Sequence, residues 1–144
     1  MADSSRQPID SAVLVSLRDR ASTHPLVARV ETERSDGALV GLRLVFDRDR
    51  YPEVVNGATL TIRWYENDEY NFHYREHRDK DEPRVWQCRW DKHPNPHAAY
   101  THFHHPPDAG ADAITDDPIE TTHPADVLGR TLANVRDRIA SLRE

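Results

Sequence analysis

The chain has 144 residues, 37% of them hydrophobic, with 25 acidic against 19 basic side chains and a formal charge of −6. That length fits one domain able to bury a core without staples, and the acidic surplus excludes a protein that coats nucleic acid wholesale, though arginines grouped on one face can still hold a phosphate backbone. A lone cysteine, Cys88, excludes an intramolecular disulfide and a cysteine-based zinc knuckle, and no apolar run approaches the roughly 20 residues of a membrane span, so a soluble, cytoplasmic chain is expected.

Lys80 and Lys92 are the only lysines, a composition rich in arginine and aspartate that suits a GC-rich genome. Mean hydropathy is −0.83, with the polarity concentrated in residues 1–7, expected to be disordered, and around 105–123. From Pro8, the residues Ile9, Val13, Leu17 and Ala21 recur at every fourth position, which predicts a helix over 8–23 with Asp10 near its start and His24-Pro25 at its end. Alternating segments follow from Leu26 to Glu33 and from Ala38 to Phe46, joined by the turn signal Ser35-Asp36-Gly37. Three more strand candidates run from Ala58 to Tyr65, Glu69 to Arg78 and Arg84 to Asp91, and their short polar connections predict an antiparallel meander.

Past Lys92, Pro94 and Pro96 each remove a ladder donor, so residues 92–123 read as a loop rich in histidine and proline. The last element spans 124–143. Leu128, Leu132, Val135, Ile139 and Leu142 form a 4-3-4-3 stripe, Pro124 suits the first helical position and Asp126 suits the positive first turn. That stripe can cap the sheet, form a homodimer seam or dock a partner. The fold class expected is α+β: a single domain in which a five-stranded antiparallel meander over 26–91 is flanked on one face by an N-terminal and a C-terminal helix.

Period-two alternation then assigns the two faces of the sheet. Leu60, Ile62, Trp64, Phe72, Tyr74, Trp86, Cys88 and Trp90 point toward the helices, which makes Cys88 a core residue. The opposite face receives Arg63, Tyr65, His73, Arg75, His77, Gln87, Arg89 and Asp91. Polar residues on such a face need only stay solvated, but arginines beside histidines and aromatics also make a binding surface.

Seven of the nine histidines lie between His73 and His105, and imidazole is the side chain that binds a transition metal or exchanges a proton near neutral pH. On one strand His73 and His77 stand about 13 Å apart and cannot share a metal. His102 and His104, two apart in extended chain, can converge; His93, His97 and Asp91 can add ligands to a mononuclear zinc-like site. The same residues serve a metal-free chemistry. Cleavage of RNA by its own 2′-hydroxyl needs a general base, a general acid and a cation at the phosphorus. His102 and His104 are the acid and base candidates, Arg75 and Arg89 the phosphate clamps, and Asp91 an orienting carboxylate. His24 and His123, beside prolines at helix boundaries, read as structural.

The stretch Arg89-Trp90-Asp91, followed by His93-Pro94, His97 and Thr101-His102-Phe103-His104-His105-Pro106, resembles the TumE family of prokaryotic toxin components. Members are similar in having an aromatic hairpin, an Arg-aromatic-Asp tripeptide, a Pro- and His-containing loop, a Pro-His-His-x-His-like cluster and a C-terminal helix. Here the hairpin is Tyr70-Asn71-Phe72-His73-Tyr74 and the helix 124–143, while Thr101 stands where the cluster would carry a proline. The resemblance covers residues 58–143. It implies the toxin of a two-gene toxin–antitoxin module, neutralised by a helix-turn-helix partner and directed at RNA, with Arg89, Asp91, His97, His102 and His104 at the motif positions.

The leading expectation is therefore a ribonuclease-like toxin that needs no metal, with His102, His104, His97 and Asp91 as catalytic residues and Arg89, Arg75 and His73 binding substrate. Two other classes compete with it. One is a noncatalytic interaction module that docks its partner through the helix stripe or the arginine face. The other is a metal-dependent hydrolase that holds zinc or a similar divalent ion in the histidine cluster.

Overall fold

A computed structural model describes residues 8–80, 82–94, 100–117 and 123–144. Helix α1 spans Ser11–Ala21 and starts at Asp10, whose carboxylate accepts the Val13 N–H at 3.1 Å; Arg18 and Arg20 sit favourably in its negative last turn. The helix is shorter than expected because Ile9 lies outside it, bridged to Tyr65. Its buried side is Leu14, Leu17 and Ala21, with Val13 partly buried. His24 is structural, as its position suggested: Nδ1 accepts the Leu26 N–H at 3.2 Å.

Strands β1 (Val27–Ser35) and β2 (Ala38–Phe46) form the first hairpin. Its two-residue turn places Asp36 at φ 51° and Gly37 at φ 81°, a left-handed pair that matches the twist of the strands and that Asp-Gly adopts readily. After a short 3-10 turn at Arg48–Arg50 come β3 (Gly57–Trp64), β4 (Tyr70–His77), β5 (Val85–Lys92), β6 (Thr101–His104) and β7 (Ile114–Asp116), and then helix α2 (Pro124–Leu142). All seven strands form one sheet in sequence order, each antiparallel to the next. The meander and the α+β class are as expected, but the sheet has seven strands, not five. Pro94 ends β5 without ending the sheet, because the chain returns at Thr101 and lays four residues along β5; β7 follows after a further turn.

Alternation decides the core. Leu60, Ile62, Trp64, Tyr70, Phe72, Tyr74, Cys88 and Trp90 are buried on one face of the sheet, in one cluster with Leu14 and Leu17 of α1 and Val127, Leu128, Leu132, Val135 and Ile139 of α2. Trp64 stacks on Tyr70 with ring centroids 4.9 Å apart, and Phe72 meets both rings edge-on. α2 begins where Pro124 and Asp126 placed it, and the His123 ring nitrogen caps it by accepting the Ala125 N–H. Its apolar stripe is spent on the core, Leu142 included as a partly buried neighbour, so it does not offer the dimer seam or docking stripe that its spacing also allowed. Among the described residues no helix is long and apolar enough to cross a membrane.

Candidate functional site

The register of β3 to β6 arranges the face away from the helices in cross-strand rows. One row reads Arg63, Asn71, Asp91, His102; the next reads Thr61, His73, Arg89, His104; a third begins Thr59, Arg75, Gln87. His102 and His104 thus lie on a strand paired with that of Asp91 rather than on a loop beyond the sheet. The β6–β7 connection folds back over this corner: Pro107 accepts the Gln87 N–H at 2.8 Å, and the Gly110 carbonyl lies 3.2 Å from His104 Nδ1.

Asp91 is the centre of the corner, its side chain fully buried. Asn71 Nδ2 donates to its Oδ1 at 2.7 Å, and Arg89 Nε donates to its Oδ2 at 2.9 Å. Three imidazole Nε2 atoms converge on the same Oδ2, from His104 at 3.1 Å, His93 at 3.3 Å and His102 at 3.7 Å. The rings of His102 pack edge-on to His93 and to His104, with centroids 4.7 and 5.1 Å apart. His102 and His104 are buried like Asp91, whereas the side chains of Arg89 and His93 are 29% and 41% exposed and form the mouth.

Electrostatics follow from this crowding. Burial alone would raise the Asp91 pKa, but the His93 hydrogen bond and the charges of Arg89, His104 and His93 reverse it and hold the carboxyl below its ordinary range. The Asp91 hydrogen bond in turn lifts His93 above the usual imidazole value against the pull of burial, helped by the Pro94 carbonyl 2.8 Å from Nδ1. His73, one strand away, goes the other way: burial and the neighbouring Arg75 and Arg89 lower it, although Nε2–H donates to Gln87 Oε1 at 2.8 Å.

Of the residues singled out from sequence, Asp91, Arg89, His93, His102 and His104 come together. His73 and Arg75 lie on the same face on β4, in the adjoining rows, and not in the cluster. His97 lies outside the described residues. Asn71 was missed, although face alternation carried to the neighbouring strand would have paired it with Asp91. The carbonyl of Gly110 had no sequence signal.

A second buried polar cluster also escaped the sequence reading. Glu76 points into the core and is gripped by Arg138 of α2 through two hydrogen bonds of 2.9 Å; it also accepts from Tyr74 Oη at 2.8 Å, and Tyr74 in turn pairs with Tyr51 Oη at 2.8 Å. The Arg138 guanidinium lies 3.5 Å over the Trp86 ring. Cys88 is core, as alternation placed it, and burial pushes its thiol up to about 12.

Fold and site together define a class: a small α+β protein with both helices packed into one face of an antiparallel sheet, and an aspartate–imidazole–arginine cluster on the other. Residues 15–139 match the family model described as Toxin TumE, and the chain belongs to that toxin family. Comparison with curated proteins and with solved structures gave no match. Membership implies an antitoxin partner.

Proposed function

We propose that this chain is the toxin of a two-gene toxin–antitoxin module, that it acts on RNA, and that a helix-turn-helix protein neutralises it. The observation that carries the reading is Arg89, which is bound to Asp91 on one side, lies 2.9 Å from His104 Nε2 on the other, and is still partly exposed at the mouth of the cluster. A guanidinium in that position can take a phosphate and hold it against imidazoles, the side chains that move protons or bind metal near neutral pH. Arg75 and His73 extend the same face along β4 and give a single strand a further cationic and a ring contact.

Burial divides the roles. Arg89 and His93 face the substrate; His102, His104 and Asp91 act through them as positioning residues, fixed by the β5–β6 pairing and by Gly110. His97, which lies outside the described residues, stays a candidate on sequence grounds alone. The reading is tested by incubating purified protein with total RNA and mapping new 5′ ends. Site-selective new ends with the wild-type chain, lost in Arg89→Ala, support it; intact RNA across a range of ionic conditions, with growth arrest retained in cells, would turn attention to a target other than RNA.

A noncatalytic interaction module remains the second reading, now restricted to the arginine-bearing face because the α2 stripe is buried.

A further inference from the structure

We infer that the cluster at the β5–β6 corner is a binding site for a divalent transition-metal ion of zinc type, held by Asp91 Oδ2, His102 Nε2 and His104 Nε2, with His93 at the mouth turning in to complete the set as fourth donor. Three features carry it. The first is spacing. A tetrahedral zinc site with ligand bonds of 2.0–2.1 Å keeps its donors about 3.3 Å from one another, and the three imidazole nitrogens stand 3.1, 3.3 and 3.7 Å from one carboxylate oxygen. The donor atoms of Asp91, His102 and His104 all lie within 4.8 Å of one another.

The second feature is orientation. His104 Nδ1 faces the Gly110 carbonyl at 3.2 Å and His93 Nδ1 faces the Pro94 carbonyl at 2.8 Å. A carbonyl only accepts, so both Nδ1 atoms carry hydrogen; the His104 Nε2 lone pair, which accepts from Arg89, is turned into the corner, while His93 donates its Nε2–H to Asp91 Oδ2 at the position a metal would take. That is the outer-shell arrangement that fixes the tautomer of a metal-ligating histidine. Asn71 supplies the matching support on the carboxylate, holding the oxygen that faces away from the imidazoles.

The third is charge. The His104 Nε2 lone pair and the Asp91 carboxylate oxygen, 3.1 Å apart, repel one another unless a cation stands between them. Arg89 fills that place, with Nε 2.9 Å from Asp91 Oδ2 and Nη2 2.9 Å from His104 Nε2, so one guanidinium spans two of the four donor atoms. A metal ion binding the same atoms displaces it, and the partly exposed side chain swings out of the corner. On the RNA reading, and resting on it, the displaced Arg89 is then free for a phosphate, so that metal binding and substrate binding cooperate.

The test uses full-length protein without a histidine tag, stripped with chelator and titrated with Zn²⁺ against a competing indicator, and with Co²⁺ for the absorption bands of a tetrahedral site. One equivalent is expected to bind, with tetrahedral cobalt bands and a raised melting temperature. His104→Ala abolishes these effects, and exposed His93→Ala, which leaves the buried donors in place, weakens binding at least about tenfold. His77→Ala changes nothing. Arg89→Ala strengthens binding, because it removes the competing cation; a mere neighbour of the site would leave affinity unchanged. Absence of stoichiometric binding to folded protein, or binding that survives His104→Ala and His93→Ala alike, overturns the inference. The readouts are independent of RNA, so failure of the metal site and failure of the RNA reading are told apart.

Discussion

Asp91 and His102 are direct partners across the β5–β6 ladder, and neither side chain is exposed to solvent. A carboxylate taken out of water is costly unless hydrogen bonds and opposite charge compensate it. Asn71, Arg89 and the surrounding imidazoles supply that compensation. The corner is therefore a single electrostatic unit, in which loss of one member alters the others.

Arg75 and Arg89 share one face of the sheet but sit in different rows. If both contact the phosphates of a single strand, each lost contact lowers the salt dependence of binding by about 0.7 in the slope of log K against log salt. Arg75→Ala alone should weaken binding of a single-stranded RNA about equally for all sequences, and the double variant with Arg89→Ala should lower the slope by about 1.4. Fluorescence anisotropy at several salt concentrations measures this. An unchanged slope would remove Arg75 and Arg89 from the binding surface.

Glu76 and Arg138 pin α2 to the sheet. Removing one partner of a buried ion pair leaves the other without compensation, at a cost of about 3–5 kcal/mol. Glu76→Gln should lie at the lower end of that range, since the amide still accepts from Tyr74. Denaturant unfolding, read as a shift in midpoint at constant slope, checks it. A change below about 1 kcal/mol, the median worth of a surface pair, would show that solvent reaches Glu76.

His73 gives a pH dependence of defined sign. Its folded pKa lies below the ordinary 6.5 because burial, with Arg75 and Arg89, disfavours the cation, partly offset by Gln87 and Asp91. The unfolded chain therefore takes up a proton first as pH falls. His73 supports the fold fully above about pH 6.5 and loses that support progressively below it. NMR titration of the ring should give a midpoint under 6.5, and His73→Asn should flatten the decline of stability between pH 7 and 5. A midpoint above 6.5 would mean that the ring is solvated or paired with a carboxylate.

Strands β3 and β4 were readable because eight residues of strict alternation separate Trp64, Phe72 and Tyr74 from Arg63, His73 and Arg75. β6 has four residues and β7 three, too few for a period-two pattern to stand out from a histidine-rich loop, and Pro94 pointed to the end of the sheet. Spacing was nevertheless informative, since His102 and His104, two apart, do face the same side as Asp91. Their burial was not legible. It depends on the chain from Pro106 to Gly110 folding back over β5, a contact set by tertiary packing and not by local pattern. Glu76 was missed for the opposite reason: alternation does turn it inward, but its partner Arg138 lies 62 residues away on α2.

The most direct measurement of the central claim, that the Asp91 cluster is the working site of this toxin, is growth after induced expression of the wild-type chain and of Asp91→Asn. Both proteins should be folded at the growth temperature by circular dichroism, with Asp91→Asn melting lower because a buried charge pair is lost. The wild type should arrest growth, relieved by co-expression of its antitoxin, and Asp91→Asn should lower toxicity by about ten- to a hundredfold, because a neutral amide with one acceptor oxygen holds Arg89 and the imidazoles more weakly than the carboxylate does. Full growth arrest by a folded Asp91→Asn variant would contradict the account.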